Sequence, residues 1–212
     1  MDFHLTREQE LVRQMMHDFT ENEVKPIAAE TDKTSTYPRE NIEKLFDLGV
    51  MGMIVPEEFG GAGADDLSSA IAIEELSKQC ASTGGTSSYH NGLCCGPIIA
   101  NGTPEQKEKY LRMLTEGHKV GAFALTEPDA GSDAAKGTCV AELQGDHYVL
   151  NGSKIFITTA MLLTYSDCIC HDRQVQGHQG HFCIHRRELL PGLLCWQARG
   201  EAACTAPRRL RS

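Results

Sequence analysis

The sequence has no run of lysine and arginine, no start that is basic and then apolar, and no apolar stretch of membrane-spanning length. Each absence excludes a class of protein. A formal net charge of -9 without a basic cluster leaves no electrostatic footprint for nucleic acid or for an acidic membrane surface. Met1 is followed at once by Asp2, His4, Arg7 and Glu8, unlike a secretory signal, so a cytoplasmic protein is expected. The longest apolar stretches are broken by charge or glycine well before the ~20 residues that a spanning helix needs. Nine cysteines in such a chain are expected as reduced thiols rather than as a disulfide framework. With 41% hydrophobic and 23% charged residues, the 212-residue chain can bury a core, enough for one domain and part of a second.

Helical patterns come first. Leu11, Met15, Phe19 and Val24 recur at near-helical spacing behind a Thr6–Gln9 capping box, with Pro26 expected to be tolerated near the end of that helix or to kink it. A second pattern, Ile42, Leu45, Phe46 and Leu48, stops at Gly49. Pro56 and the glycines 60, 61 and 63 predict a loop, followed by a helix from Leu67 to Cys80 with an aspartate cap, which Gly84–Gly85 end or follow with another loop. The small and apolar residues from Tyr89 to Gly102 suit a buried helix, and Thr103, Pro104, Glu105 and Gln106 mark the start of another. Beyond Gly117 the pattern turns to strands: 120–125, then 138–142, then a turn at Gln144–Asp146 into 147–151. Helices followed by strands indicate an α+β multidomain chain rather than alternating βαβ units.

Two segments carry possible chemistry. Phe123, Ala124, Leu125, Thr126, Glu127, Pro128, Asp129, Ala130, Gly131, Ser132 and Asp133 join an apolar strand end to a polar turn. Thr126 and Ser132 offer directional donors and Gly131 permits close approach, as a cofactor with an apolar ring and a polar edge requires, although an ordinary β-turn fits the same residues. In the second segment, Asn151–Gly152 predicts a tight hairpin turn, after which Phe156 and Thr158 share one strand face suited to a flavin edge. By itself that segment also reads as a plain strand.

Taken in order, these motifs resemble the acyl-CoA dehydrogenase family, particularly the bacterial short-chain or butyryl-CoA dehydrogenases. The likeness runs from about Phe3 to Thr159 and rests on Val55–Gly61, His90–Asn91, Gly102–Lys107, Leu125–Pro128 with Gly131–Asp133, and Asn151–Lys154. It implies an N-terminal helical domain over 1–118 and a partial middle β-domain over 119–165, with the family's C-terminal helical bundle missing. It also implies FAD contacts from Phe123, Ala124, Leu125, Thr126, Gly131, Ser132, Phe156, Ile157 and Thr158, with Ser132 also facing the acyl-CoA. Many relatives have tryptophan where Phe156 stands; phenylalanine keeps the aromatic surface and loses an indole donor. The implied chemistry is α,β-dehydrogenation of a short-chain acyl-CoA to a trans-2-enoyl-CoA, with electrons passed to an electron-transfer flavoprotein. The general base, a glutamate in the missing bundle, leaves no catalytic residue here, Glu127 reading as structural. Full-length relatives form homotetramers.

After about Tyr165 the character changes. Lysine is absent to the end, while Cys168, Cys170, Cys183, Cys195 and Cys204 crowd in with His171, His178, His181 and His185. These are zinc-type donors, but Cys168-x-Cys170-His171 with His181 and Cys183 matches no standard spacing. Back-translating Asp167–Arg187 and reading one base later permits IVFAMTDKSKGIKGISAFIVE, which resembles the family's next strands. Residues 166–212 are therefore expected to be a frameshifted, disordered tail, and the loss of strand partners is expected to make the chain unstable. The alternative to an enzyme is a non-catalytic acyl-CoA- or FAD-binding fragment or interaction module.

Overall fold

The computed structural model describes residues 4–144, 147–159, 165–172, 180–186, 194–198 and 201–211, with side chains over 4–140 and 150–159. The chain divides into a helical unit ending at Lys119 and a β-unit beginning at Val120.

The helical unit is organised by its helix starts. Helix α1 (Arg7–Phe19) begins with the capping box, in which Thr6 Oγ1 accepts from Gln9 N at 3.2 Å and Gln9 Oε1 accepts from Thr6 N at 3.0 Å. Gln9 Nε2 also donates to Asp65 Oδ2 at 2.8 Å. The other oxygen of Asp65 caps helix α4 (Asp66–Ser77) by accepting from Ser68 N at 2.7 Å. One carboxylate thus ties two helix starts together, and these bonds hold it below the usual carboxylate range, the Ser68 amide acting most strongly.

Pro26 is tolerated at the start of the next helix. A π-turn over Thr20–Val24 runs directly into α2 (Lys25–Thr34), widening the backbone just where the proline ring would collide and where its N–H is missing. Helix α3 (Arg39–Asp47) buries Ile42, Leu45 and Phe46, and the chain turns at Gly49 with φ +74°. The loop beyond folds on itself: a Cβ at Gly61 would lie 2.0 Å from the Val55 carbonyl oxygen. Because the clash is with backbone, Gly61→Ala is expected to lower stability by about 3 kcal/mol in a urea titration; an unchanged midpoint would mean the loop has room to shift.

Gly84 and Gly85 lie inside helix α5 (Ala81–Ser88) rather than ending the preceding one. The physical reason is tertiary: a Cβ at Gly84 would meet Ser77 Oγ at 2.1 Å, so the glycine lets α5 lie close against α4. A second π-turn, Tyr89–Cys95, leads into α6 (Gly96–Asn101), again just ahead of a proline, Pro97. Helix α7 (Pro104–Leu114) starts with the Thr103–Gln106 capping box that the sequence indicates. Met16, Val24, Ile42, Leu45, Val50, Val55, Leu76, Ile98, Leu111 and Leu114 form the core with the imidazole of His90.

Among the described residues of the β-unit, seven strands make one mixed sheet: β1 (Phe123–Ala124), β2 (Val140–Gln144), β3 (His147–Lys154), β4 (Tyr165–Asp172), β5 (Gly180–Arg186), β6 (Leu194–Ala198) and β7 (Glu201–Arg211). Its order is β1-β4-β2-β3-β7-β6, with β5 also on β4. Strands β1 and β2 run parallel to β4, while the remaining pairings are antiparallel. Within 166–212, for which the sequence suggests a disordered tail, the described residues supply the backbones of β4 from Ser166 onward and of β5, β6 and β7. Cys168 pairs Cys183 and Cys170 pairs His181 across β4 and β5, but the side chains of that zinc reading lie outside the described ones.

Asn151–Gly152 is not a hairpin turn. Strand β3 runs through it, with Asn151 opposite Val140 and His147 opposite Gln144. Gly152 is required for a different reason: at φ +151° it passes so close to Cys139 that a Cβ would meet the Cys139 Cα at 2.7 Å. Among the described residues, no helix is long and apolar enough to cross a membrane.

Candidate functional site

The two motif segments meet in the β-unit. Strand β1 ends at Ala124, and the chain then makes a tight turn in which Glu127 N donates to Ala130 O at 3.0 Å and Ala130 N to Glu127 O at 3.2 Å. Strand β3 ends at Lys154, whose neighbour Ile155 donates its N–H to Thr126 O at 2.9 Å. A few residues on, Thr159 Oγ1 donates to Gly121 O at 3.2 Å. Residues 155–159 are therefore strapped to 121–126 at both ends.

Between those straps the backbone is forced out. Phe156 sits at φ +56° and Thr159 at φ +67°, a region that bulky L-residues rarely enter. The result is an aromatic ring 57% exposed beside a fully anchored Ile157. Sequence alternation places Phe156 and Thr158 on a strand face; instead both lie beyond β3 in a strained turn that presents them to solvent. Strain of this kind costs about 1–3 kcal/mol and persists where surrounding bonds dictate it, commonly at ligand sites.

The other candidate residues divide by burial. Phe123, Leu125 and Thr126 are half-buried, Gly131, Ser132 and Thr158 are exposed, and the side chains of Ala124 and Ile157 are in the core, so those two can meet a ligand only through backbone. Among the described residues neither the Thr126 N–H nor its hydroxyl meets a partner, although the Thr126 carbonyl is held. A Cβ at Gly131 would meet no protein atom within 4 Å, so the fold itself does not demand glycine there. Open donors, an exposed ring and an approachable glycine suit a planar heterocycle with an apolar face and a polar edge.

Beneath this surface lies a pair that sequence reading missed. Lys154 Nζ donates to Glu127 Oε1 at 2.7 Å and to Leu125 O at 2.9 Å, both side chains being under a tenth exposed. The Glu127 carboxylate also accepts from Thr138 N, from Thr138 Oγ1 at 3.0 Å and from Cys139 N at 3.0 Å. Burial pushes this carboxyl up, but Lys154 and the Thr138 and Cys139 donors outweigh it and hold it at about 2. Glu127 is accordingly spent on the fold. The available signal was a lysine at the end of a predicted strand, 27 residues from an acid in a turn.

Against this geometry, residues 6–118 match the acyl-CoA dehydrogenase N-terminal domain and residues 122–201 the acyl-CoA dehydrogenase middle domain. The chain belongs to the acyl-CoA dehydrogenase family of oxidoreductases. It is 59% identical over 158 residues to a short-chain specific acyl-CoA dehydrogenase of Clostridium acetobutylicum, covering 74% of this chain and 42% of that one. The structure of butyryl-CoA dehydrogenase from Megasphaera elsdenii superposes with a TM-score of 0.90 at 35% identity, covering 99% of this chain and 58% of that one. An acyl-CoA dehydrogenase from Bacillus anthracis, solved in complex with FAD, gives 0.87 at 29% identity over 98% and 37% of the two chains. This chain thus spans about two fifths of the length of the Clostridium relative. The middle-domain match extends past residue 165, where the likeness legible in the sequence fades, to residue 201.

Proposed function

We propose that this chain forms the helical and flavin-facing portion of an FAD-dependent dehydrogenase converting a short-chain acyl-CoA to a trans-2-enoyl-CoA. The observation that carries the reading is the 2.9 Å bond from Ile155 N to Thr126 O, which sets the 123–132 loop beside the Phe156–Thr158 turn. FAD, when bound, supplies the hydride acceptor. Thr126 donates its N–H and hydroxyl toward the flavin edge, while the ring of Phe156 covers apolar flavin surface. Ser132, exposed at the end of the turn, reaches both flavin and acyl-CoA, and the backbones of Phe123, Ala124, Leu125, Gly131, Ile157 and Thr158 complete the wall. These residues orient and exclude water; none moves the substrate's α-proton.

That proton requires a general base from outside residues 1–212, so the chain alone is expected to hold flavin without turnover. The whole enzyme would work in the cytoplasm as a homotetramer and pass electrons to an electron-transfer flavoprotein. The same reading divides the chain at 118 and 165 and assigns 166–212 to a frameshift, which resequencing the locus tests directly. Titration with FAD, followed by assay with butyryl-CoA and an electron-accepting dye, tests the function. Saturable flavin uptake with no dye reduction is the expected outcome. No uptake would remove the flavin site, and turnover would show that the base lies within the chain.

A further inference from the structure

We propose that Lys154 is a positioning residue that fixes the flavin-facing peptide at Thr126 from below. The inference rests on the flavin reading above but on different atoms. The ammonium touches two points that flank Thr126, the carbonyl of Leu125 at 2.9 Å and the carboxylate of Glu127 at 2.7 Å. Between them, the Thr126 carbonyl is taken by Ile155 N at 2.9 Å. Three consecutive residues are therefore held by two adjacent ones, Lys154 through its side chain and Ile155 through its backbone.

With the acceptor side of this peptide occupied, the Thr126 N–H and hydroxyl are left as the groups it can turn outward. Glu127 cannot drift, because the Thr138 amide and hydroxyl and the Cys139 amide grip its carboxylate. Lys154 is the link between that gripped acid and the Leu125 carbonyl. A lysine suits this role because three donors on one small head can serve acceptors at different angles.

Charge compensation and positioning make different predictions, and a double variant separates them. In Glu127→Gln/Lys154→Met no buried charge is left unpaired, so a purely electrostatic role predicts a folded chain with unchanged FAD affinity. Positioning predicts that Leu125 O still lacks its donor, that the FAD dissociation constant rises by about tenfold or more, and that the bound flavin's long-wavelength absorption band moves toward that of free flavin. Hydrogen exchange gives a readout that needs no flavin. Lys154→Met, or Glu127→Gln if that variant does not fold, should speed exchange at the hydrogen-bonded amides of Glu127 and Ile155 while the β2–β3 ladder keeps its protection. Faster exchange throughout the β-unit, or unchanged exchange at the Glu127 and Ile155 amides, would overturn the proposal. If the unaltered chain takes up no FAD yet exchange changes only at the Glu127 and Ile155 amides, the flavin reading fails and the brace stands.

Discussion

Glu127→Ala is expected to lower the stability of the β-unit by about 3–5 kcal/mol, the usual consequence of removing one partner from a buried ion pair. The substitution leaves the Lys154 ammonium buried with the Leu125 carbonyl as its remaining partner, and it strips acceptors from the Thr138 and Cys139 amides. Glu127→Gln should be milder, since the amide oxygen can still accept. The same pair sets an acid limit. The Glu127 carboxyl titrates from 4.5 when free to about 2 when folded, so its contribution is complete above pH 4.5 and disappears as pH falls toward 2. That span corresponds to about 3 kcal/mol. Urea titrations between pH 6 and 2 should show this loss in the unaltered chain and not in Glu127→Ala; parallel slopes in the two would refute it.

The helical unit should weaken earlier on acidification, because His90 is wholly buried among Phe46, Cys95 and neighbouring backbone. Its ring centroid lies 5.6 Å from that of Phe46, edge to face, and Nε2 is 3.8 Å from Cys95 Sγ. Burial pulls the imidazole down to about 4, against the smaller upward pull of backbone groups on Met51 and Leu114. The folded unit therefore binds the neutral ring. As pH falls below the free value of 6.5 the unfolded chain gains a proton that the folded chain refuses, and stability declines until about pH 4. The slope from this group is at most about 1.4 kcal/mol per pH unit. Hydrogen exchange of the α3 and α7 amides between pH 7 and 4.5, corrected for intrinsic rates, checks it: opening should become easier by roughly tenfold per unit. Equal opening free energies at pH 7 and 5 would show that the imidazole is charged in place.

What the sequence made legible were interactions between near neighbours. Thr6 with Gln9 and Thr103 with Gln106 form capping boxes three residues apart, and Asp65 caps Ser68 at the same spacing. Such bonds need only local backbone geometry, which a helix start provides wherever the side chains occur. The switch from helical to alternating patterns near Gly117 likewise marks the division found after Lys119. By contrast, Gly84–Gly85 and Asn151–Gly152 carry turn signals that the fold overrules. In both places a close neighbour, Ser77 or Cys139, needs the missing side chain more than the chain needs to turn.

The order of the motifs by itself determined the family and singled out the two segments of the proposed site, because each motif encodes a local backbone shape and their succession along the chain is specific. Only tertiary structure decided how those segments become a surface. Phe156 is turned outward at positive φ because Ile155 and Thr159 are tied to Thr126 and Gly121, and Lys154 finds Glu127 only after the sheet has brought residues 27 positions apart to 2.7 Å. No local propensity encodes either event. Both follow from strand pairing, which sets the distances between residues far apart in the chain.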